Sequence, residues 1–245
     1  MSSPIPPTYT GPPESSENQP LLEDPEGLTG RGIQREIDYR KGDAIAKYSA
    51  IVAVLVILIT TWVVVLSNQP RALGWFALHP TLQTLALVFF TYGIVTLQPT
   101  ADPRSKAAGL ARHQIAIIVL AFPAIALGTS FMIYNKISHG APHFTSWHGI
   151  FGLVAVVWIV LQMLVGAGSL LAGPKGKIIY KYHRLSGYIL FTWILITIHL
   201  AGAWSAWVVG NTAYATSVIV YTIAPIVLLV SVYSRSRTSK LNFTQ

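Results

Sequence analysis

The sequence predicts an all-α membrane protein with six transmembrane helices, and three observations lead to this fold class. Hydrophobic residues make up 52% of the 245 residues and charged residues only 11%, whereas a soluble globular chain carries about 25% charged residues. The mean hydropathy of the chain is +0.52. The apolar residues are gathered into six long segments, none of which contains Asp, Glu, Lys or Arg.

Each apolar segment is long enough to cross a membrane as a helix. At 1.5 Å per residue, about 20 residues span a hydrocarbon core that is about 30 Å thick. Only helices and closed β-barrels can span lipid, and these segments lack the alternating pattern of barrel strands. The predicted helices one to six are Tyr48–Leu66, Leu78–Leu97, Ile115–Ile133, Ile150–Leu171, Leu185–Val208 and Ala213–Val232.

The net charge of +8 is distributed as in a membrane protein and does not predict binding to nucleic acid. Eight of the nine acidic residues precede residue 44, and Asp102 is the ninth. If the N-terminus is cytosolic, fifteen Lys and Arg residues lie on the cytosolic side and only Arg71 and Lys136 on the other. The positive-inside rule therefore predicts that both termini are cytosolic.

The chain divides into a membrane domain and two tails. Residues 1–43 are rich in Pro, Ser, Glu and Gly and predict a disordered cytosolic tail. Residues 44–233 form the predicted membrane domain, and residues 234–245 form a basic cytosolic tail. In the first tail, Glu17–Leu22 (ENQPLL) has the form of an acidic dileucine sorting signal. This signal favours an endomembrane (endosome, vacuole or endoplasmic reticulum) over the plasma membrane.

Two absences in the sequence narrow the possible chemistry. The chain contains no cysteine, which excludes disulfides, thiolate zinc sites, iron–sulfur clusters and haem attached through a C-x-x-C-H motif. No Asp or Glu lies inside a predicted helix, and proton pumps and cation-coupled transporters usually carry such buried carboxylates. The ionisable residues associated with the helices are therefore mostly histidines.

Four of the seven histidines recur at intervals of 34, 35 and 35 residues: His79, His113, His148 and His183. Each stands at or just before the N-terminal end of predicted helix two, three, four or five. One interval equals one helix plus one loop, so successive histidines alternate between the membrane faces. The spacing predicts that His79 pairs with His148 on the non-cytosolic side and His113 with His183 on the cytosolic side.

Each predicted pair suits a haem iron, which takes one imidazole from each face of the porphyrin. Helix bundles build cofactor sites from facing helices in this way. A single histidine at a helix end is more often an interfacial or capping residue, but four at regular spacing favour haem. Zinc fits less well, because two imidazoles per side lack the further ligands that zinc requires. Gly149, Gly152, Ser186 and Gly187 would let either a haem or a neighbouring helix approach closely, and both interpretations stay open.

The remaining histidines have weaker signals. His199 lies 16 residues after His183, which rotates it by about 160° around helix five and predicts a packing role. His139 and His143 lie in the outer loop near the predicted His79–His148 pair. They are candidates for binding an acceptor substrate or a metal chelate, and the alternative is that they are solvated loop residues.

Four stretches of the sequence resemble the cytochrome b561 family of transmembrane electron carriers. They are residues 75–80 (WFALHP), 111–114 (ARHQ), 147–149 (WHG) and 180–187 (YKYHRLSG). The resemblance extends over about residues 48–233 and is greatest to the ferric-reductase-like branch that lacks a DOMON module. It implies a four-helix core, helices two to five, that holds two non-covalent haem b groups. The axial ligands it implies are those that the spacing pairs: His79 with His148 and His113 with His183.

The resemblance also implies a function, namely a transmembrane oxidoreductase in the lipid bilayer. The electron donor would be a cytosolic reductant such as ascorbate, and the acceptor a ferric chelate or monodehydroascorbate on the other side. A homodimer is compatible with this function. Candidate substrate-binding residues are the cations near the cytosolic histidines and the two outer-loop histidines: Lys106, Arg112, Lys177, Lys181, Arg184, His139 and His143.

A second function class stays open at this stage. The histidines could instead line a polar pathway in a non-redox membrane transporter or adaptor. The visible spectrum of the purified protein distinguishes the two classes, because only the electron carrier is expected to show reducible haem bands.

Overall fold

The computed structural model describes residues 42–97 and 103–236. In this part of the chain six helices are long and apolar enough to cross a membrane, which confirms the predicted all-α fold class. We number them one to six: Asp43–Ser67, Pro70–Val95, Pro103–Ser138, Trp147–Leu171, Gly173–Ala203 and Tyr214–Ser234. The predicted sorting signal and almost all of both predicted tails lie outside the described residues.

Helices three and five begin earlier than the hydropathy predicts. Helix three begins at Pro103, where the sequence predicts Ile115, and helix five begins at Gly173, where it predicts Leu185. The added residues are mostly polar or basic, so the hydropathy detects only the apolar part of each helix. The prediction that His113 and His183 stand at helix starts is therefore wrong: both lie inside continuous helices.

Helix five ends at Ala203, five residues before the predicted end. The chain then forms a separate short helix, Ala206–Asn211. Ser205 begins it by accepting a hydrogen bond from the Val208 backbone N–H through its side-chain hydroxyl, 3.2 Å away, as is usual for a serine at this position. This break separates the C-terminal end of helix five from helix six.

Two prolines explain the irregular turns of helices three and six. Each helix contains a π-helical segment, Ile115–Ala121 in helix three and Ile219–Ile223 in helix six. The α-helix resumes next to Pro123 and Pro225, respectively. Proline has no N–H and its ring displaces the carbonyl four residues earlier, and a wider turn accommodates both effects.

Helices one, two and six form a closely packed group at one side of the described bundle. Helix one packs against helices two and six, helix two also packs against helix three, and helix four packs mainly against helix five. Ala50, Ala53 and Ile57 on helix one are almost completely buried, and small residues such as the two alanines let membrane helices approach closely. The buried Arg235 side chain donates hydrogen bonds to the carbonyl oxygens of Asp43 and Val95. It therefore joins the ends of helices six, one and two.

Candidate functional site

The two ends of the bundle differ in charge. We call the end at which helices three and five carry a cluster of cations the basic face, and the other end the opposite face. The cluster consists of Arg104, Lys106, Arg112, Lys175, Lys177, Lys181 and Arg184. The opposite face has Arg71 on helix two and Lys136 on helix three.

The structure brings the four regularly spaced histidines together in the two predicted pairs. The ring centroids of His79 and His148 lie 5.9 Å apart near the opposite face, and their planes form an angle of 73°. The ring centroids of His113 and His183 lie 6.4 Å apart near the basic face, at an angle of 85°. Helices two and four supply the first pair, and helices three and five supply the second.

Each of the four imidazoles is held by a backbone carbonyl of a neighbouring helix. Within the first pair, His79 Nδ1 lies 3.0 Å from the Gly128 oxygen and His148 Nδ1 lies 3.0 Å from the Thr197 oxygen. A carbonyl oxygen can only accept, so Nδ1 carries the proton in every case. The other nitrogen, Nε2, therefore keeps its lone pair, as in histidines that bind metals.

The second pair follows the same rule. His113 Nδ1 donates to the Gly93 oxygen at 3.2 Å, and His183 Nδ1 donates to the Gln162 oxygen at 3.1 Å. Helices two and three therefore hold each other's histidines, and so do helices four and five. Sequence reasoning missed these partners, because a residue that acts through its backbone carbonyl leaves no side-chain signal.

Helices two and three form one hairpin and helices four and five form another, and the histidine–carbonyl hydrogen bonds of the two hairpins are spaced alike in sequence. The bonds of His79 and His148 both span 49 residues, and those of His113 and His183 span 20 and 21. Helices four and five thus repeat the pattern of helices two and three with an offset of 69 or 70 residues. This offset relates the carbonyl partners of one hairpin to those of the other, but it does not identify either set from the sequence.

Both pairs fit an iron ion held between two imidazoles. A metal–imidazole bond is about 2.0–2.1 Å long, so two rings bound through Nε2 to one metal have centroids roughly 6 Å apart. The observed 5.9 and 6.4 Å agree with this spacing. The four neutral nitrogen donors, with no cysteine in the chain, suit non-covalent haem with two axial histidines.

Gly166 on helix four provides the space for the His183 ring. A Cβ atom added to Gly166 would lie 2.8 Å from His183 Cε1 and 3.2 Å from its Nδ1. Contacts between a carbon and a Cβ atom are practically never shorter than 3.0 Å. Any side chain at this position would therefore displace the imidazole.

The small residues near His148 and His183 mainly allow neighbouring chain segments to approach. A Cβ atom on Gly149 would contact the Phe144 backbone at 3.4 Å, and one on Gly187 would lie 3.0 Å from Gln162 Nε2. The Ser186 hydroxyl accepts a 2.9 Å hydrogen bond from Trp158 Nε1. Of the two interpretations in the sequence, these contacts favour close helix packing.

The predicted donor-site cations flank the His113–His183 pair. Arg112 donates to the Thr96 carbonyl oxygen at 3.3 Å, and the Arg184 guanidinium lies 5.9 Å from the centre of the Tyr188 ring. Lys177 is exposed, and Lys106 and Lys181 are half-buried. Arg112 and Arg184 adjoin the two histidines in sequence, so both cations lie next to the same pair.

The three other histidines have different surroundings. His139 contacts the Asn135 carbonyl oxygen through Nδ1 at 2.7 Å, at the end of helix three. His143 lies in the loop before helix four, half-buried beside Phe144. His199 Nδ1 lies 3.0 Å from the Tyr221 carbonyl oxygen of helix six. The contact between helices five and six agrees with the packing role predicted for His199.

Comparison with known proteins identifies relatives of this chain. Residues 78–209, which include all four paired histidines, match the family model of eukaryotic cytochrome b561. The transmembrane reductase CYB561D2 of Bos taurus is 32% identical over 138 residues, which cover 53% of this chain and 61% of the relative. The Mus musculus protein of the same name is 32% identical over 158 residues, which cover 60% and 68%. The chain thus spans about three fifths of the length of the Bos taurus relative, and no solved structure matches it.

Proposed function

The chain belongs to the eukaryotic cytochrome b561 family, and on this premise we propose that it carries electrons across a membrane between two substrates. The observation that carries the proposal is that two histidine pairs with similar ring distances and angles lie near opposite ends of the same bundle. Haem b bound between each pair would supply a one-electron centre that needs no open coordination position. The name of these relatives, transmembrane reductase, supports the same reaction class.

In this proposal the four paired histidines would hold the haem groups, two histidines for each haem. Their Nδ1–H bonds to backbone carbonyls fix the tautomer and the ring orientation and raise the basicity of Nε2. Because the carbonyls belong to packed helices, they hold the rings in position. The chain thereby keeps the distance between the paired rings close to the value that one metal ion requires.

We further propose that the basic face is cytosolic. Fifteen of the seventeen Lys and Arg residues of the chain fall on that side of the predicted topology, and the positive-inside rule assigns such loops to the cytosol. The proposed donor is a small anionic reductant, ascorbate. It would be attracted by the cations around the His113–His183 pair, namely Lys106, Arg112, Lys177, Lys181 and Arg184.

The proposed acceptor lies on the opposite face, beside the His79–His148 pair. A ferric chelate takes up one electron to become ferrous, and monodehydroascorbate takes up one electron and one proton to return to ascorbate. His139 and His143 are the proposed acceptor ligands, and His143 is half-buried in the loop that precedes helix four. The ring of His139 already contacts the end of helix three through Nδ1.

The visible spectrum of the purified protein tests the proposal most directly. We expect sharp bands that appear on reduction and about two haems per chain. A folded but colourless protein would contradict the proposal and favour the alternative, a non-redox transporter or adaptor with a histidine-lined pathway. Purified protein in liposomes, supplied with ascorbate on the basic face, should then reduce ferric chelate added to the opposite face.

Charge reversal on the basic face is expected to slow reduction by ascorbate. Lys177→Glu with Lys181→Glu should lower the rate constant by about tenfold at low salt, because electrostatic steering contributes factors of about 10 or more to such encounters. The difference should shrink as salt screens the cations. Stopped-flow absorbance with ascorbate measures the rate.

Two controls accompany this charge reversal. Reduction by excess dithionite and the haem content should stay unchanged in the double variant. Lys175→Glu reverses a charge in the same loop but further from His183 in sequence, so it should have a smaller effect. If ascorbate reduces neither haem while dithionite reduces both, the donor is not ascorbate.

The segment Glu17–Leu22 is proposed to direct the protein to an endomembrane. Replacing Leu21 and Leu22 by alanine should move a fluorescently tagged chain from internal membranes to the plasma membrane, because adaptors recognise the two leucines together. Fluorescence microscopy beside organelle markers measures the change. An unaltered distribution of the Leu21→Ala, Leu22→Ala variant would show that the segment is not the signal.

A further inference from the structure

The two histidines of the basic-face pair are held differently, although the two hairpins repeat one pattern. Gly93 and Gln162 stand 69 residues apart, and each offers its backbone oxygen to a histidine of the following helix. Gly93 has no side chain, whereas the Gln162 amide nitrogen donates a hydrogen bond to the His183 backbone oxygen. Residues 162 and 183 therefore exchange two hydrogen bonds, and residues 93 and 113 share one.

The space for the Gln162 amide comes from a glycine on the facing helix. A Cβ atom on Gly187 would lie 3.0 Å from Gln162 Nε2, so a larger residue would press against the amide. In the hairpin of helices two and three the glycine is instead Gly93, the residue whose carbonyl oxygen accepts the histidine hydrogen bond. A Cβ atom on Gly93 would lie 3.1 Å from the Ala116 Cβ and 3.2 Å from the Ile117 Cδ1. In helices four and five the glycine lies opposite the residue whose carbonyl binds the histidine, whereas in helices two and three the glycine is that residue. Both arrangements let the two helices approach closely.

We propose that Gln162 is a positioning residue for the basic-face histidine pair. Its carbonyl restrains the His183 ring, and its side chain restrains the His183 backbone, so ring and backbone are fixed to helix four together. His113 has a single such restraint and adjusts to its partner. The orientation of the His183 ring therefore determines the angle of 85° between the two rings. This inference rests on the proposed function, in which the pair holds a haem iron.

A purely structural role for Gln162 predicts different behaviour. Other side chains also connect helices four and five, such as Trp158 to Ser186 at 2.9 Å and Trp193 to the Phe151 carbonyl oxygen at 3.0 Å. Loss of any of these bonds would weaken the packing of the two helices. Only loss of the Gln162 bond would alter the orientation of one axial imidazole, which the electron paramagnetic resonance signal of a low-spin ferric haem reports.

The experiment compares Gln162→Leu with Ser186→Ala in the haem-loaded full-length protein. Gln162→Leu should change the resonance signal of the basic-face haem and leave that of the opposite-face haem unchanged. At a fixed potential its ratio of reduced to oxidised basic-face haem should change at least threefold. Ser186→Ala removes a bond between the same two helices next to Gly187, and it should change neither quantity.

Gly187→Ala is the second variant, in case Gln162→Leu does not fold. It adds one methyl group against the amide, and its resonance signal should change in the same haem. Unchanged signals in the folded variants, or equal changes in Ser186→Ala, would overturn the role of Gln162. A wild-type protein without any low-spin haem signal would overturn the proposed function itself, and this outcome is visible before any variant is made.

Discussion

Replacing His113 by alanine is expected to remove one haem and leave the other at full occupancy. The His113 ring lies 6.4 Å from His183 and near the basic face, whereas the other pair belongs to helices two and four. A pair reduced to one histidine would hold a haem more weakly, and the other pair is unchanged. The haem content, measured by the pyridine haemochrome spectrum, should fall from about two to about one per chain.

Double substitutions test the pairing itself. His113→Ala with His183→Ala breaks one pair and should still leave one haem. His113→Ala with His148→Ala breaks both pairs and should leave none; a full-occupancy haem in this variant would refute the pairing. His199→Ala is the control, because that ring contacts Tyr221 on helix six and lies outside both pairs. It should retain both haems.

The pairing could be predicted from the sequence because spacing alone determines it. Histidines about 35 residues apart fall on alternate membrane faces whenever one helix and one loop fill the interval, and this holds even when a helix boundary is misplaced. The starts of helices three and five, Pro103 and Gly173, were predicted too late, so the positions of His113 and His183 within their helices were predicted wrongly. These errors did not change which end of the bundle the two residues reach, since both helices were extended at the same end.

The surroundings of the histidines could not be predicted in the same way. The partners of the imidazoles are backbone oxygens of Gly93, Gly128, Gln162 and Thr197, and every residue type carries such an oxygen. Hydropathy likewise detects only the apolar part of a helix, and the basic turns of 103–114 are as polar as a loop. What distinguishes these residues is the rotation of one helix against another, which only the folded chain shows.

Gly166→Ala is expected to weaken or abolish haem binding at the basic-face pair alone. The added Cβ would lie 2.8 Å from His183 Cε1 and 3.2 Å from Nδ1. The ring must therefore move away from Gly166 and strain its 3.1 Å bond to the Gln162 oxygen. Overpacking of this kind costs about 1–3 kcal/mol, and since 1.4 kcal/mol is a factor of ten, haem affinity at this pair should fall by a factor of about 5 to 100.

Gly168→Ala is the matched control, because it makes the same change two residues further along helix four, where nothing lies within 4 Å of the added Cβ. Both variants replace a helical glycine by a better helix former, so the backbone effect is the same and favourable. Titration of each haem-depleted protein with haem, followed by absorbance, should show two binding events of wild-type affinity for Gly168→Ala. Gly166→Ala should show one such event and one weaker event. If both variants bind two haems with wild-type affinity, the position of the His183 ring does not require a glycine at residue 166.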